Sequence, residues 1–345
     1  EVVGNDIPRI DYTDSTEGAL LLENSATNLL TYSEDFSNSA WSKSNSTITN
    51  DNAISPNGTL NADKLVENAV SSTHWIREVV SVSNGKVTFS IFAKKGERNF
   101  LVIRENTLGG KFFDLSNGTI NSDFNATLVD DAKIESYGNG WYKCSITVTV
   151  STSSADFLIY VTNEDGVTNY QGDGASGIYI WGAMLEANSV ASSYIPTNGS
   201  TVQRAAETCN ESGNSEVFND SQGVLFADVA ALSNDGTNRQ ITLSDGTTSN
   251  RVYFTYSTVS NQFSASIISS GSLSFNTNYT STDLTNYHKI LIKYKQNDFS
   301  LWVNGFKIAT DTIGNTPSGL KNINLSSSTS SLPFYGNTKE IAYYD

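Results

Sequence analysis

The sequence predicts an all-β protein built from two antiparallel β-sandwiches, a jelly roll followed by a second sandwich. Short runs of alternating apolar and polar residues arrive at intervals of about ten residues, the spacing of sandwiches rather than of βαβ units. Asn-Gly pairs such as Asn84-Gly85 and Asn139-Gly140 stand between these runs and favour hairpin turns. Stretches with helical periodicity are few, so the pattern predicts little helix.

The first sandwich is organised around residues 178–185, a run of eight apolar or small residues without a charge. A run of this kind predicts a central strand that is buried on both faces. Beyond it, Pro196 fixes the backbone φ angle and Asn198-Gly199 favours a turn. The chain is therefore expected to leave its first core here.

The 345 residues fit two domains of roughly 150 residues each. Residues 1–25 are interrupted by Pro8 and by a polar patch, and we interpret them as an extended segment lying on the first domain. Residues 26–200 are predicted to form the jelly roll and residues 223–345 the second sandwich. The stretch 201–222 is rich in Asn, Ser and Glu and is predicted to be a linker.

The charge of the chain excludes several classes of partner. Its 21 basic residues stand against 36 acidic ones, a net charge of −15. Proteins that bind nucleic acids or anionic membranes need a basic surface, which this balance does not supply. No apolar run approaches the roughly 18 residues of a membrane-spanning helix. We expect no nucleic acid partner and no membrane insertion.

The residues that catalysis would need are not arranged for it in the sequence. The acidic doublets at 34–35, 130–131 and 164–165 are flanked by polar turn residues, and neighbouring residues on a strand face opposite ways. His74 and His288 fall in different domains, with no nucleophile or metal ligand at a useful spacing. Motifs of hydrolases, nucleotide-binding enzymes and zinc proteases are missing. The sequence therefore predicts a protein that is not an enzyme.

The loop at 163–177 is long, glycine-rich and acidic. It could hold Ca²⁺ through Asp165, Asp173 and carbonyl oxygens, or present Tyr170 to a ligand, or be a plain surface loop. Its spacing does not match an EF-hand. We expect no required cofactor and keep Ca²⁺ as an alternative.

Two cysteines do not make a disulfide framework. Cys144 is predicted to lie in a strand, and Cys209 falls in the stretch between the domains. Either one bridge or two unpaired thiols fits this pattern, and both alternatives stay open.

Aromatic side chains are the feature that sugar binding requires, because the C–H face of a pyranose stacks on Trp or Tyr while polar side chains bind its hydroxyl groups. The stretch at 74–78 alternates so that Trp75 and Arg77 lie on the face opposite to His74 and Ile76. If Ile76 belongs to the core, Trp75 and Arg77 point outward. They are candidate sugar-binding residues, with a plain cover of the sheet as the alternative.

The same argument applies to Trp302 in the second domain. Leu301 and Val303 share one face of a predicted strand, so Trp302 lies on the other and is a further candidate. Trp141 and Trp181 fall in predicted core strands and are interpreted as structural. The predicted carbohydrate-binding residues are therefore Trp75, Arg77, Tyr170 and Trp302.

Several strings in the chain resemble a known group of proteins. The first four are TNLLTYSEDFSNSAW at 27–41, VTFSIFAKKGE at 87–97, GNGWYKCSITV at 138–148 and IYIWGAMLEANSVASSYIPT at 178–197. Together they resemble the adhesion modules of tailed-phage virion proteins, including tail fibres and head spike fibres, which are similar to jelly-roll carbohydrate-binding modules. The strings at 223–256, 288–312 and 334–345 resemble the laminin-G or concanavalin-like lectin domain that often follows them.

This resemblance implies a fragment of a virion fibre or spike that binds host-surface polysaccharide without cleaving it. The implied partners are that polysaccharide and other virion proteins, and the implied location is extracellular, on the virion surface. Two alternatives stay open. One is a structural protein that decorates a capsid or fibre without affinity for sugars, and the other is a glycan-cleaving enzyme whose site is assembled from distant loops.

Overall fold

The computed structural model describes residues 8–13, 16–125 and 128–345, and within these residues the chain forms 28 strands and no helix. Neighbouring strands in the sheets run antiparallel to each other in both halves of the chain. No helix in the described part of the chain is long and apolar enough to cross a membrane. The predicted all-β class with antiparallel β-sandwiches is confirmed.

The chain divides into two compact units. The first comprises residues 25–205, and the second comprises residues 206–345 together with the N-terminal segment up to Asn24. In chain order, the N-terminal segment supplies β1 (Ile10–Asp11) and β2 (Ala19–Leu22) to the second unit.

The first unit contains sixteen of the strands. In chain order these are β3 (Ala26–Asn28), β4 (Ser42–Ser44), β5 (Ser46–Ile54), β6 (Leu60–Glu67), β7 (Ser71–Ser72), β8 (His74–Ser81), β9 (Gly85–Lys95), β10 (Phe100–Glu105), β11 (Gly109–Asp114), β12 (Thr119–Phe124), β13 (Val129–Ser136), β14 (Trp141–Val150), β15 (Ser154–Thr162), β16 (Tyr170–Gln171), β17 (Gly177–Glu186) and β18 (Val202–Arg204).

Two six-stranded sheets make up most of the first unit. The front sheet has the order β12-β11-β10-β15-β8-β4, and the back sheet has the order β13-β14-β9-β17-β6-β5. Alternate residues of both sheets meet in one apolar core, where the rings of Phe89 and Phe157 stack with their centroids 5.0 Å apart. The other residues of each strand point away from this core.

The strand predicted at the centre of the first domain is found there. β17 lies between β9 and β6 in the back sheet, and Ile178, Ile180 and Leu185 are fully buried in the core. Its pairing with β9 shifts between Trp181 and Met184. Gly182 lies in this irregular stretch with a φ angle of 62°, a value that glycine adopts without strain.

The second unit adds the remaining ten strands. These are β19 (Gln222–Ala231), β20 (Arg239–Ser244), β21 (Arg251–Tyr256), β22 (Gln262–Ser269), β23 (Ser272–Thr280), β24 (His288–Lys295), β25 (Phe299–Val303), β26 (Phe306–Asp311), β27 (Asn322–Asn324) and β28 (Gly336–Tyr344). They form a seven-stranded sheet, β1-β2-β28-β19-β24-β25-β26, and a five-stranded sheet, β23-β22-β21-β20-β27. Leu225, Ile292, Phe254 and Phe263 belong to the buried core of this unit.

The N-terminal segment does not lie on the first domain as predicted. Residues 1–7 and 14–15 of the predicted stretch 1–25 lie outside the described residues. Leu20 and Leu22 of β2 pair with β28, and Leu22 is buried in the core of the second unit. Burial of this apolar run and pairing of the sheet edge both favour the second unit.

The stretch 201–222 is not the loose linker that its polar composition predicts. β18 pairs with β3 within the first unit. Phe218 is buried in the core of the second unit, where its ring meets the ring of Tyr343 edge-on with centroids 5.1 Å apart. The division between the units falls after Ala205, inside this stretch. Strand pairing before the division and apolar burial after it therefore order this stretch, although most of its residues are polar.

Candidate functional site

Trp75 and Arg77 lie on the outward face of the front sheet, as their alternation predicts. Their neighbours on β8, His74 and Ile76, are fully buried. Trp75 is half-buried, and 38% of the Arg77 side chain is exposed. Strand geometry sends successive side chains to opposite faces, which is why the pair shares one surface.

A row of apolar side chains forms the floor of this outward face. Trp75 pairs across the strands with Tyr160, which in turn pairs with Val102, and Val102 pairs with Phe112. The last three of these side chains are at most 4% exposed. Leu158 belongs to the same cluster, and Trp75 packs against it. The floor is a rigid apolar layer fixed by strand register.

Two arginines stand in the next row of the same face. Arg77 pairs with Leu158 on β15, and Leu158 pairs on its other side with Arg104 on β10. The Cα atoms of the two arginines are thus two strand spacings apart, about 10 Å. One guanidinium group lies on each side of Leu158.

Both guanidinium groups are held against aromatic rings. Arg77 Cζ is 5.6 Å from the centroid of the Trp75 ring, and Arg104 Cζ is 4.6 Å from the centroid of the Phe124 ring. Arg104 also donates hydrogen bonds to the Tyr160 hydroxyl at 3.2 Å and to the Asn106 carbonyl at 2.7 Å. Stacking and hydrogen bonds fix the orientation of these groups. We call Trp75, Arg77, Arg104, Phe124 and Tyr160 the aromatic–arginine face.

One carboxylate lies beside this face. Asp156 Oδ2 accepts a hydrogen bond from Arg77 Nη1 at 3.2 Å. Desolvation raises the pKa of Asp156, and the positive charge of Arg77 offsets only part of this rise. The charge of Arg104 also lowers the pKa of Asp156, so this carboxylate interacts with both arginines.

This arrangement can bind a polar ligand. Guanidinium groups donate several hydrogen bonds and accept none, and half-buried rings supply apolar contact. The face thus combines hydrogen-bond donors with apolar surface.

Tyr170 is not presented to a ligand, so this predicted site residue is wrong. Only 7% of it is exposed, and its hydroxyl group donates a 2.5 Å hydrogen bond to Glu67. Arg98 Nε donates to the same carboxylate at 2.8 Å, and a second hydrogen bond joins Arg98 Nη2 to Glu67 Oε1. Although desolvation opposes it, these hydrogen bonds hold the pKa of Glu67 below its ordinary value. Tyr170 completes a buried structural cluster.

The two carboxylates considered for Ca²⁺ serve different turns. Asp165 accepts hydrogen bonds from Ser122, and Asp173 accepts from Ala175 and Ser176. Arg98 Nη2 lies 3.5 Å from Asp173 Oδ2. In the described residues no group of three or more His, Cys, Asp or Glu side chains is placed to hold a metal ion.

Trp302 lies on the outward face of the seven-stranded sheet, as predicted, with Leu301 and Val303 buried. Its ring is half-buried and carries Lys307 above it, with Nζ 5.0 Å from the ring centroid. Its indole N–H donates to Ser300 Oγ at 3.2 Å. Trp302 belongs to the second unit, whereas Trp75 and Arg77 belong to the first.

The structural interpretation of Trp141 and Trp181 agrees with their burial, since at most 4% of either is exposed. Cys144 is buried and Cys209 half-buried, and neither forms a disulfide in the structure. Desolvation raises the pKa of both thiols. Thiols of this kind are weak nucleophiles.

Three residues of the face, Arg104, Phe124 and Tyr160, were not predicted from the sequence. The outward residues of β10, β12 and β15 were not among the predicted site residues. Leu101 and Ile103 are buried in the core, and this alternation puts Arg104 outward. No such alternation marks Phe124 in the sequence, because β12 has few apolar residues.

Comparisons with known proteins found similarity to solved structures. No protein-family model matches the chain, and no curated protein matches it in sequence. Among solved structures, sheep galectin-11 in complex with glycerol matches with a TM-score of 0.29 and 10% identity, covering 41% of this chain and 99% of the galectin chain.

Two further solved structures are similar. Domains LG4-5 of the mouse laminin alpha1 chain match with a TM-score of 0.28 and 12% identity, covering 80% of this chain and 86% of that one. The extracellular region of zebrafish Gpr126/Adgrg6 matches with a TM-score of 0.27 and 11% identity, covering 79% of this chain and 33% of that one. At these scores the comparisons carry no argument about function, and none of the three is a phage protein.

Proposed function

We propose that the chain is a non-catalytic glycan-binding fragment that uses the aromatic–arginine face of its first unit. The observation that carries the proposal is the half-buried Trp75 beside two stacked arginines on a rigid sheet. Sugar recognition combines apolar contact with polar groups at fixed positions, and this face supplies both. Because the floor is buried and fixed by register, little order would be lost on binding.

The proposal also covers the assembly to which this fragment belongs. The strings at 27–41 and 178–197 resemble phage fibre modules, which favours a virion fibre or spike that attaches to host-surface polysaccharide. The other proposed partners are virion proteins, and the proposed location is the virion surface. This part rests on the sequence resemblance alone.

A glycan array probed with the full 345-residue chain tests the proposal. Binding to a glycan, followed by loss of binding in Trp75→Ala, is the expected result. Trp302→Ala is the matched control, because it removes a half-buried Trp from an outward sheet face of the other unit. Overnight incubation of each bound glycan should yield no new reducing or unsaturated ends.

Three results would contradict the proposal in different ways. Loss of binding in Trp302→Ala alone would move the site to the second unit. Cleavage of a bound glycan would favour the enzyme alternative. A folded chain that binds no glycan would favour a structural decoration protein.

A further inference from the structure

We propose that the aromatic–arginine face takes an acidic saccharide, whose carboxylate groups are bound by Arg77 and Arg104. This inference rests on the proposed glycan-binding function and names the chemical class of the ligand. It concerns which sugars the face selects, and neutral sugars are the competing class.

The first step is what the face presents to solvent. Arg104 lies over the ring of Phe124 at 4.6 Å, and Arg77 lies over Trp75 at 5.6 Å. Tyr160 is 4% exposed and Leu158 likewise, so the floor beneath is covered. A neutral sugar that stacks its C–H face needs a bare ring, whereas a guanidinium group occupies the ring of Phe124. The hydrogen-bond donors of this face thus include two cationic groups.

The second step is the state of the two charges. Arg77 forms an ion pair with Asp156 at 3.2 Å. The hydrogen-bond partners of Arg104 are neutral, namely the Tyr160 hydroxyl and the Asn106 carbonyl. The charge of Arg104 also acts on Asp156, so one carboxylate serves both arginines. Two guanidinium groups that share a single carboxylate can bind a negative group on a ligand.

The third step is geometry. Arg77 and Arg104 flank Leu158 in one row that crosses the strands. Guanidinium groups bind carboxylates through paired, charge-assisted hydrogen bonds, and each of these two groups is held beside an aromatic ring. A linear glycan lying across the strands would pass both arginines. Its carboxylates would meet oriented donors, at little cost in side-chain entropy.

The charge of the whole chain narrows the class further. A net charge of −15 repels every long polyanion at a distance, a polyuronate as well as a nucleic acid or a polyphosphate. Two arginines can bind a few carboxylates locally, but they do not form a basic groove. The ligand that fits is a saccharide with few, widely spaced carboxylates, such as one in which uronic acid residues alternate with neutral sugars.

The test compares each acidic glycan with its carboxyl-reduced counterpart, in which the uronic acid has become the neutral sugar. A hyaluronan hexasaccharide, an oligogalacturonate hexamer and their reduced forms are the first probes, beside an array of neutral and acidic glycans. We expect the bound glycans to be acidic, and reduction to weaken binding about tenfold or more. Raising the salt concentration should weaken the binding of acidic glycans.

The variants Arg77→Gln and Arg104→Gln locate the effect. Each should weaken binding of the acidic glycan about tenfold, and neither should weaken binding of a reduced one. Arg251→Gln is the matched control, because Arg251 lies over the ring of Tyr253 at 4.4 Å in the second unit. Thermal unfolding of each variant checks that the fold is retained.

The outcomes separate the two proposals. Equal affinity for acidic and reduced glycans, or binding of neutral glycans alone, would overturn the acidic class and leave the glycan-binding function standing. Loss of acidic-glycan binding in Arg251→Gln, but not in Arg104→Gln, would overturn the assignment to this face. A folded chain that binds no glycan of either kind would overturn the proposed function itself.

Discussion

The guanidinium group of Arg104 lies over the ring of Phe124, with Cζ 4.6 Å from the ring centroid, and donates a 3.2 Å hydrogen bond to the Tyr160 hydroxyl. The ring and the hydroxyl come from different strands, β12 and β15. Arg104 is therefore positioned by two neighbours in the sheet, and each can be removed separately.

Tyr160→Phe should lower affinity for the glycan several-fold and reduce the free energy of unfolding by about 1 kcal/mol. The substitution removes one hydrogen-bond acceptor of Arg104 and keeps the buried ring, and a typical net hydrogen bond contributes this much. Titration calorimetry and urea unfolding of the full chain measure the two effects. Unchanged affinity would show that the Tyr160 hydroxyl does not position Arg104 for binding.

Replacement of Glu67 or Arg98 should destabilise the first unit strongly. Glu67 is fully buried and receives hydrogen bonds from Arg98, Tyr170 and the backbone N–H of Asp173. Breaking such a pair leaves a charge buried without its partner, which costs about 3 to 5 kcal/mol. We expect this loss in Arg98→Met, and about 1.5 to 3 kcal/mol in Tyr170→Phe, which removes a hydrogen bond to a charged group.

Urea unfolding followed by tryptophan fluorescence measures these losses. Of the five tryptophans only Trp302 lies in the second unit, so a Trp302→Phe background makes the signal specific to the first. Glu97→Gln is the control, because Glu97 pairs with Lys64 at 2.8 Å with 53% of its side chain exposed. Exposed pairs contribute about 1 kcal/mol or less. Equal losses in Arg98→Met and Glu97→Gln would refute the buried-pair interpretation.

Alternation along a strand could be read from the sequence, and it placed Trp75, Arg77 and Trp302 on the outward faces correctly. This works because a residue between two buried neighbours on a strand must point away from the core. The sequence could not show which strands lie side by side. Arg104 meets Phe124 through pairings of β10, β11 and β12 that are set by the whole sheet.

Tyr170 shows a second limit of the sequence. Its loop is rich in glycine and polar residues, which predicts exposure. The residues that contact it, Glu67 and Arg98, are distant along the chain, and no residue near Tyr170 in the sequence indicates these contacts. Leu22 is the opposite case. The sequence shows the short apolar run that contains it, but it does not show which sheet this run joins.

Chelation with EDTA should leave both stability and glycan binding unchanged. The carboxylate of Asp173 accepts hydrogen bonds from the side chain and backbone of Ser176, which hold its pKa well below the ordinary value, and Arg98 lies 3.5 Å away. The guanidinium group thus supplies positive charge in the loop where Ca²⁺ was considered. Thermal unfolding and the glycan array, each with EDTA and with added CaCl₂, measure this. A rise in melting temperature with CaCl₂ would show a calcium site.

Glu78→Gln should stabilise the first unit at pH 8 and have little effect at pH 4. Glu78 is 8% exposed, and its Oε2 atom is buried without a partner in the described residues. Desolvation raises its pKa to about 7. Between its ordinary pKa and this value the folded chain binds more protons than the unfolded chain, so the free energy of unfolding falls as pH rises.

The size of this effect follows from the shift. A rise from 4.5 to about 7 corresponds to a loss of about 3 kcal/mol between pH 4 and pH 8, at about 1.4 kcal/mol per pKa unit. Asp63, whose pKa desolvation raises to about 6, adds a loss of the same sign that Glu78→Gln leaves in place. Urea unfolding across this pH range should therefore show a shallower decline in the variant, while Glu164→Gln, which changes an exposed carboxyl group of the same unit, should follow the parent chain. If parent and Glu78→Gln decline in parallel, Glu78 is not protonated in the folded state near neutral pH, and its burial is relieved in solution.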